Sequence, residues 1–247
     1  MTTGDVPVLA VVVATRGGTR LEAALASAEW ASERAVLDPV GDVTPAQLPP
    51  GVRLGRDAGS LATLGSASWL LLLGEHELAT EAVAAACAAA VREGASARRI
   101  AVEVEALGVC FAPRVRPVRL APREGSVLAL DRTLELELRS RSTPGRALDA
   151  ALRAKGGESV AAAVDTLEPE GRALAALLAQ LGHHPRPLAL AVDPLAAVLR
   201  TLRARPSGSG WLTRWVAAVL TGYRVTLTHA MLWEWRHTQP TAVRVVA

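Results

Sequence analysis

Residues 69–77 read Trp-Leu-Leu-Leu-Leu-Gly-Glu-His-Glu, an unbroken apolar run that ends abruptly in three ionisable groups. An apolar run without alternation fits a strand buried on both faces, as in a parallel sheet. Strands of that kind carry ligand sites at their carboxyl ends, where the chain leaves the sheet. Glu75, His76 and Glu77 stand at such an end. Carboxylate and imidazole are also the groups that bind a divalent ion or move a proton. The same residues serve equally well as the start of a loop before a helix at Thr80, and both readings stay open from the residues alone.

The flanking sequence supports a βαβ reading. Residues 8–14 form a β-branched first strand, and Thr15-Arg16-Gly17-Gly18-Thr19 is the turn after it. Leu21, Ala24, Leu25 and Ala28 then recur at helical spacing. Residues 35–37 make a short second strand ending at Asp38, and prolines and glycines break up 39–51. A third strand is predicted at 52–54 and a short helix at 60–67. Strand 69–73 is then expected to be central, flanked by parallel strands from 8–14 and 35–37. Thr15, Asp38 and Glu75 are expected to line one crevice at the carboxyl edge.

Beyond this point residues 81–92 form an alanine-rich helix ended by Gly94. Residues 100–105 alternate as an edge strand does, and 127–138 alternate again. Between them, Arg114, Arg116 and Arg119 stand among apolar residues and prolines. After Pro144 only helical patterns remain, at 146–154, 159–181, 194–205 and 211–236. Two parts are expected: an α/β domain over 1–142 and a helical region over 143–247.

Composition narrows the classes. With 247 residues, half of them apolar, a large α/β domain with an appendage has enough core. Aromatics are only 3%, so alanine, leucine and valine must fill that core. The same scarcity leaves little to stack on bases, and nucleic acid is not expected as a partner. The net charge of +3 rests on arginine, with Lys155 the sole lysine. The arginines from Arg114 to Arg146 suit an anionic partner of another kind better. Cys87 and Cys110 form no CxxC pair, which excludes a zinc ribbon and a redox motif; both are expected as packed thiols. Residues 1–7 contain Asp5 and no basic run, so a cytoplasmic protein is expected, peripheral on the inner membrane if its last helix binds lipid. Signatures of serine hydrolases, P-loop and Rossmann nucleotide binders and zinc proteases are absent from the sequence.

Four of the six tryptophans, Trp211, Trp215, Trp233 and Trp235, flank the last helical stretch. Arg214, Thr221, Arg224 and Thr228 fall on one face of it at 100° per residue. A mid-helix arginine costs roughly 2.5–3.5 kcal/mol on insertion scales, which disfavours a span. A helix lying in the membrane interface fits better, and a core helix is the alternative. The helix is expected to be continuous, with at least two tryptophans uncovered and with Arg214 and Arg224 turned toward anionic headgroups. A membrane surface or a protein partner would then meet residues 211–236.

Taken in order, four of these pieces resemble the family 2 glycosyltransferases of the GT-A fold, in particular the bacterial lipopolysaccharide-core branch. They are Val11-Val12-Val13-Ala14-Thr15-Arg16 with the helix ending Ser27-Ala28-Glu29-Trp30-Ala31, then Ala35-Val36-Leu37-Asp38, residues 69–77, and Leu232-Trp233-Glu234. The resemblance implies a Rossmann-like, mostly parallel sheet flanked by helices, with a helical C-terminal region. It implies transfer of a sugar from a nucleotide-sugar donor to a glycan or lipid-linked acceptor in cell-envelope polysaccharide synthesis. Carried over, it assigns the donor to Thr15, Arg16, Asp38, Gly74 and Glu75, and the acceptor to Arg119. It assigns a divalent ion, manganese or magnesium, to Glu75, His76 and Glu77. The family's Asp-X-Asp is replaced, however: Gly74 and His76 stand at the two aspartates, and Glu77 matches the glutamate that follows. Glu103 and Glu105 are candidates for the base by position only. These replacements keep an alternative open, a catalytically inactive binding or scaffold subunit of a membrane-associated assembly.

Overall fold

The structure is a computed structural model that describes residues 6–94, 96–107, 109–112, 117–131, 133–203, 205–207 and 210–238. Along the chain, β1 (Val8–Val13), α1 (Thr19–Ser27), β2 (Glu33–Leu37), β3 (Val52–Gly55) and β4 (Trp69–Gly74) come first. Then follow β5 (Glu77–Leu78), α2 (Glu81–Arg92), β6 (Arg98–Arg99), β7 (Ala101–Ala106), β8 (Val109–Ala112) and β9 (Val118–Pro122). A hairpin of β10 (Val127–Leu130) and β11 (Leu136–Arg139) leads to β12 (Ala151–Lys155). The chain ends in α3 (Val160–Gln180), α4 (Ala189–Arg203), β13 (Arg205–Ser207) and α5 (Trp211–Thr238).

The protein is mixed α/β. Its main sheet has the order β3-β2-β1-β4-β9-β6. The first four strands are parallel, and β9 runs antiparallel to β4. A second sheet, β13-β8-β7-β12-β5, is also mixed. Every residue of β1 and β4 is buried. Val8, Ala10, Val12, Leu71 and Leu73 face the core shared with α1 and α2. Leu9, Val11, Val13, Leu70 and Leu72 face a second core that includes Leu174 and Leu177 of α3. Burial on both faces is why the run at β4 shows no alternation.

Strand β4 is internal, as expected, but its two neighbours are β1 and β9. Strand β2 lies beyond β1, so β1 is the strand flanked by parallel partners on both sides. The helix expected at 60–67 is a 3-10 turn at Ala58–Ala62. Strand β7 is not an edge: it pairs with β8 and β12. Alternation reports that the two faces of a strand differ, not that its edge is free. The alternating stretch 127–138 is broken by a turn, in which Asp131 accepts hydrogen bonds from the backbone N–H groups of Thr133 and Glu135. Part of the helix expected at 146–154 is instead β12, held by β7 on one side and β5 on the other. Alanine and arginine favour helix there, and sheet pairing overrides that weak preference. Strand β12 lies past the expected boundary at residue 142, yet it joins a sheet whose other strands include β5 and β7. Arg114 and Arg116 lie outside the described residues.

Candidate functional site

Leaving the main sheet at Gly74, the chain turns through Glu75 and His76 and enters the second sheet at Glu77. The ionisable cluster therefore sits at the junction of the two sheets, at the carboxyl ends of β1 and β4. Glu75 is buried, and its Oε2 accepts hydrogen bonds from the backbone N–H groups of Thr15, Arg16 (2.9 Å) and Gly17 (3.1 Å). The Thr15 hydroxyl donates to the same oxygen at 3.1 Å. Three successive amides turned toward one point form an anion nest, and a carboxylate from this chain fills it.

Glu77 is buried against Arg119, whose Nη2 donates to Glu77 Oε1 at 2.8 Å. The other carboxylate oxygen accepts from the Gly74 N–H at 2.8 Å. Glu75 and Glu77 thus turn to different partners, and no group of three or more ligating side chains is placed to hold a metal among the described residues. Adjacent positions in an extended segment point oppositely, and each carboxylate has been matched to a separate donor set. The expected ligand set of Glu75, His76 and Glu77 does not fit an ion as the residues stand. A Cβ at Gly74 would lie 3.3 Å from the His76 ring and 3.4 Å from the Glu77 carboxyl carbon, so an aspartate there also needs its neighbours to move.

A crevice of about 280 Å³ opens at this junction, lined on the sheet side by Thr15, Gly74, Glu75, His76, Glu77 and Arg119. Helices α3 and α5 close it with Glu170, Thr221 and Arg224. Asp38 does not line it, contrary to expectation. It sits at the same end of the sheet, one strand further out, and accepts from the Gly41 and Val43 N–H groups at 2.8 Å and from Arg56 at 3.1 Å. A carboxylate that closes its own loop has no reason to turn toward β4. The Arg16 side chain is exposed outside the crevice, and only its amide takes part, through Glu75. Val102 and Val104 line the crevice from β7, which puts Glu103 and Glu105 on the opposite face of that strand.

Arg119 is 3% exposed, and its Nε and Nη1 are buried without a hydrogen-bond partner among the described residues. Unmet buried donors on a cation favour an anion beside them. Arg20 and Lys155 also line the crevice, and neither forms an ion pair among the described residues.

The sequence left one residue unremarked that the fold brings forward. Glu135 lines the crevice and also a second depression of about 700 Å³ on the side of Arg99 and Arg139. Burial, and then the neighbouring Asp131 carboxylate, push the Glu135 carboxyl above its ordinary value, against the opposing pull of Arg224, Arg119 and Arg200. Asp131 itself is held low despite its burial, by hydrogen bonds from Arg200, the Glu135 amide and Thr133. Leu134, immediately before Glu135, has φ 60°, a left-handed conformation that non-glycine residues rarely adopt. Such strain clusters where a side chain must be aimed. In the sequence Glu135 is one polar position of an alternating strand, indistinguishable from a solvated face.

These features define an α/β protein with a crevice of mixed charge at the carboxyl ends of its parallel strands. Compared with models of known protein families and with curated proteins, the sequence matches none.

Proposed function

We propose that the chain is a family 2 glycosyltransferase-like protein of GT-A architecture that moves a sugar from a nucleotide-activated donor to a hydroxyl of a glycan or lipid-linked acceptor. The succession of four parallel strands followed by an antiparallel one supports the architecture. The observation that carries the activity is Glu135, a carboxylate of raised proton affinity shared by two cavities. A base must reach the acceptor hydroxyl where that oxygen faces the donor's reacting carbon, and a carboxylate between two cavities is placed to meet a hydroxyl entering from one side toward a donor held in the other. In the reaction, Glu135 takes the hydroxyl proton, the oxygen attacks the anomeric carbon, and the bond to the diphosphate breaks with inversion. The charge on the departing diphosphate falls to Arg20, Lys155 and the unmet donors of Arg119. No step is routed through a divalent ion, because Glu75 and Glu77 are matched to partners in the chain.

A second reading, a binding or scaffold protein without turnover, is favoured by the carboxylate that fills the nest at residues 15–17. Release of nucleoside diphosphate from a panel of nucleotide-sugars, by the natural chain and by Glu135→Gln, separates the two. Transfer predicts release that falls by at least about a hundredfold in the variant. No release with binding retained selects the scaffold, and equal release by the two chains removes Glu135 as the base.

A further inference from the structure

Helix α5 is amphipathic in the inverted sense. Its polar side faces inward: Arg224 pairs with Glu170 at 3.7 Å, Arg214 donates to the Leu202 carbonyl, and Thr228 is fully buried. The expectation that Arg214 and Arg224 face headgroups is therefore wrong; half-buried acceptors on α3 and α4 claim both. The outward side carries Leu212, Trp215, Val219, Tyr223 and Trp233, with Trp215 47%, Tyr223 52% and Trp233 53% exposed. The first four repeat every three or four residues, and Trp233, ten residues further on, returns to the same side at 100° per residue. Trp235 is half-buried, and Trp211 is exposed at the start of the helix.

Helix α4 runs antiparallel to α5, with Arg214 against Leu202 and His229 against Asp193. It adds a second outward stripe, Val192, Leu195 and Leu199, preceded by Leu188. Paired stripes of this length exceed the scattered apolar residues of an ordinary surface. Over residues 186–238 Arg186, Arg203 and Arg236 are exposed, against one exposed acidic side chain, Glu234, among the described residues. No helix among the described residues is long and apolar enough to cross a membrane.

We propose that the outward face of α4 and α5 docks on an anionic lipid bilayer. Aromatic and aliphatic side chains on one face, with arginines around it, match the acyl boundary and the negative headgroups together. The opposite side of α5 lines the crevice through Thr221 and Arg224, so a docked chain holds its crevice one helix away from the bilayer surface. The inference stands whether the crevice transfers a sugar or only binds one.

The test is co-sedimentation with vesicles of phosphatidylcholine alone and of phosphatidylcholine with phosphatidylglycerol. The natural chain is expected to bind the anionic vesicles more strongly. The variant Trp215→Glu/Tyr223→Glu is expected to lose binding by at least about tenfold with an unchanged melting temperature, since both side chains are exposed. Quenching of tryptophan fluorescence by brominated lipid in the natural chain gives a reading independent of any variant. Absence of vesicle binding and of quenching overturns the proposal. So does a stable dimer that the double variant dissolves, which would assign the face to a second copy.

Discussion

Glu77 and Arg119 form a buried ion pair at 2.8 Å, and each was legible in the sequence only as a separate charge. Forty-two positions separate them, and only the antiparallel placement of β9 beside β4 brings them together. Removing one partner leaves the other charged and buried. Glu77→Ala is expected to destabilise the fold by about 3–5 kcal/mol in urea unfolding, whereas Glu77→Leu combined with Arg119→Met recovers most of that loss. The double variant should still lose ligand binding, since the unmet Arg119 donors go with it. Glu135 has the opposite sign. Its folded-state proton affinity is raised, so the folded chain binds more protons than the unfolded one above the ordinary glutamate value, and stability falls as pH rises toward the raised value. Glu135→Gln is expected to abolish that fall and to unfold at higher denaturant than the natural chain at neutral pH, while transfer is lost. A loss of stability in the variant would contradict the environment described for it.

At the scale of elements, strands that are apolar throughout were the easiest to read. Strands β1 and β4 are buried on both faces and look so in the sequence. Strand β12 has the composition of a helix, because its alanines and arginine carry no strand preference; pairing with β7 and β5 decides its form. The same limit applies to Cys110, expected as a packed thiol but exposed on β8, while Cys87 is buried as expected. Helix α5 was read as long and continuous, and it is, yet which of its faces turns inward depends on Glu170 and on the carbonyls of other elements. Gly222 belongs to this packing. A Cβ there would meet the Val198 side chain at 2.6 Å, so the glycine lets α4 and α5 approach closely. Gly222→Ala gains about 1 kcal/mol of helix propensity but forces the two helices apart. Overpacking of this kind costs about 1–3 kcal/mol, so thermal denaturation is expected to show a net loss.

Across the whole molecule, two mixed sheets meet where β4 hands the chain to β5, and the crevice is the consequence of that junction. The sequence located it, because an apolar strand ending in charge has to leave a sheet there. It did not show that Glu75 turns back into the nest at residues 15–17, nor that the crevice cations come from positions as distant as Arg20, Arg119 and Lys155. Those facts depend on long-range pairing, which local patterns do not encode. The central claim is that this crevice receives a phosphate-bearing nucleotide through the chain's own cations. Titration calorimetry with uridine, guanosine and cytidine diphosphates, in chelator and again with manganese, tests it directly. Binding of at least one nucleotide in chelator is predicted, weakened by at least about tenfold in Arg20→Ala/Lys155→Ala, since a paired anion loses roughly 1.5–3 kcal/mol with its charged donors. No binding of any nucleotide, or binding that requires manganese and ignores both substitutions, would contradict the account.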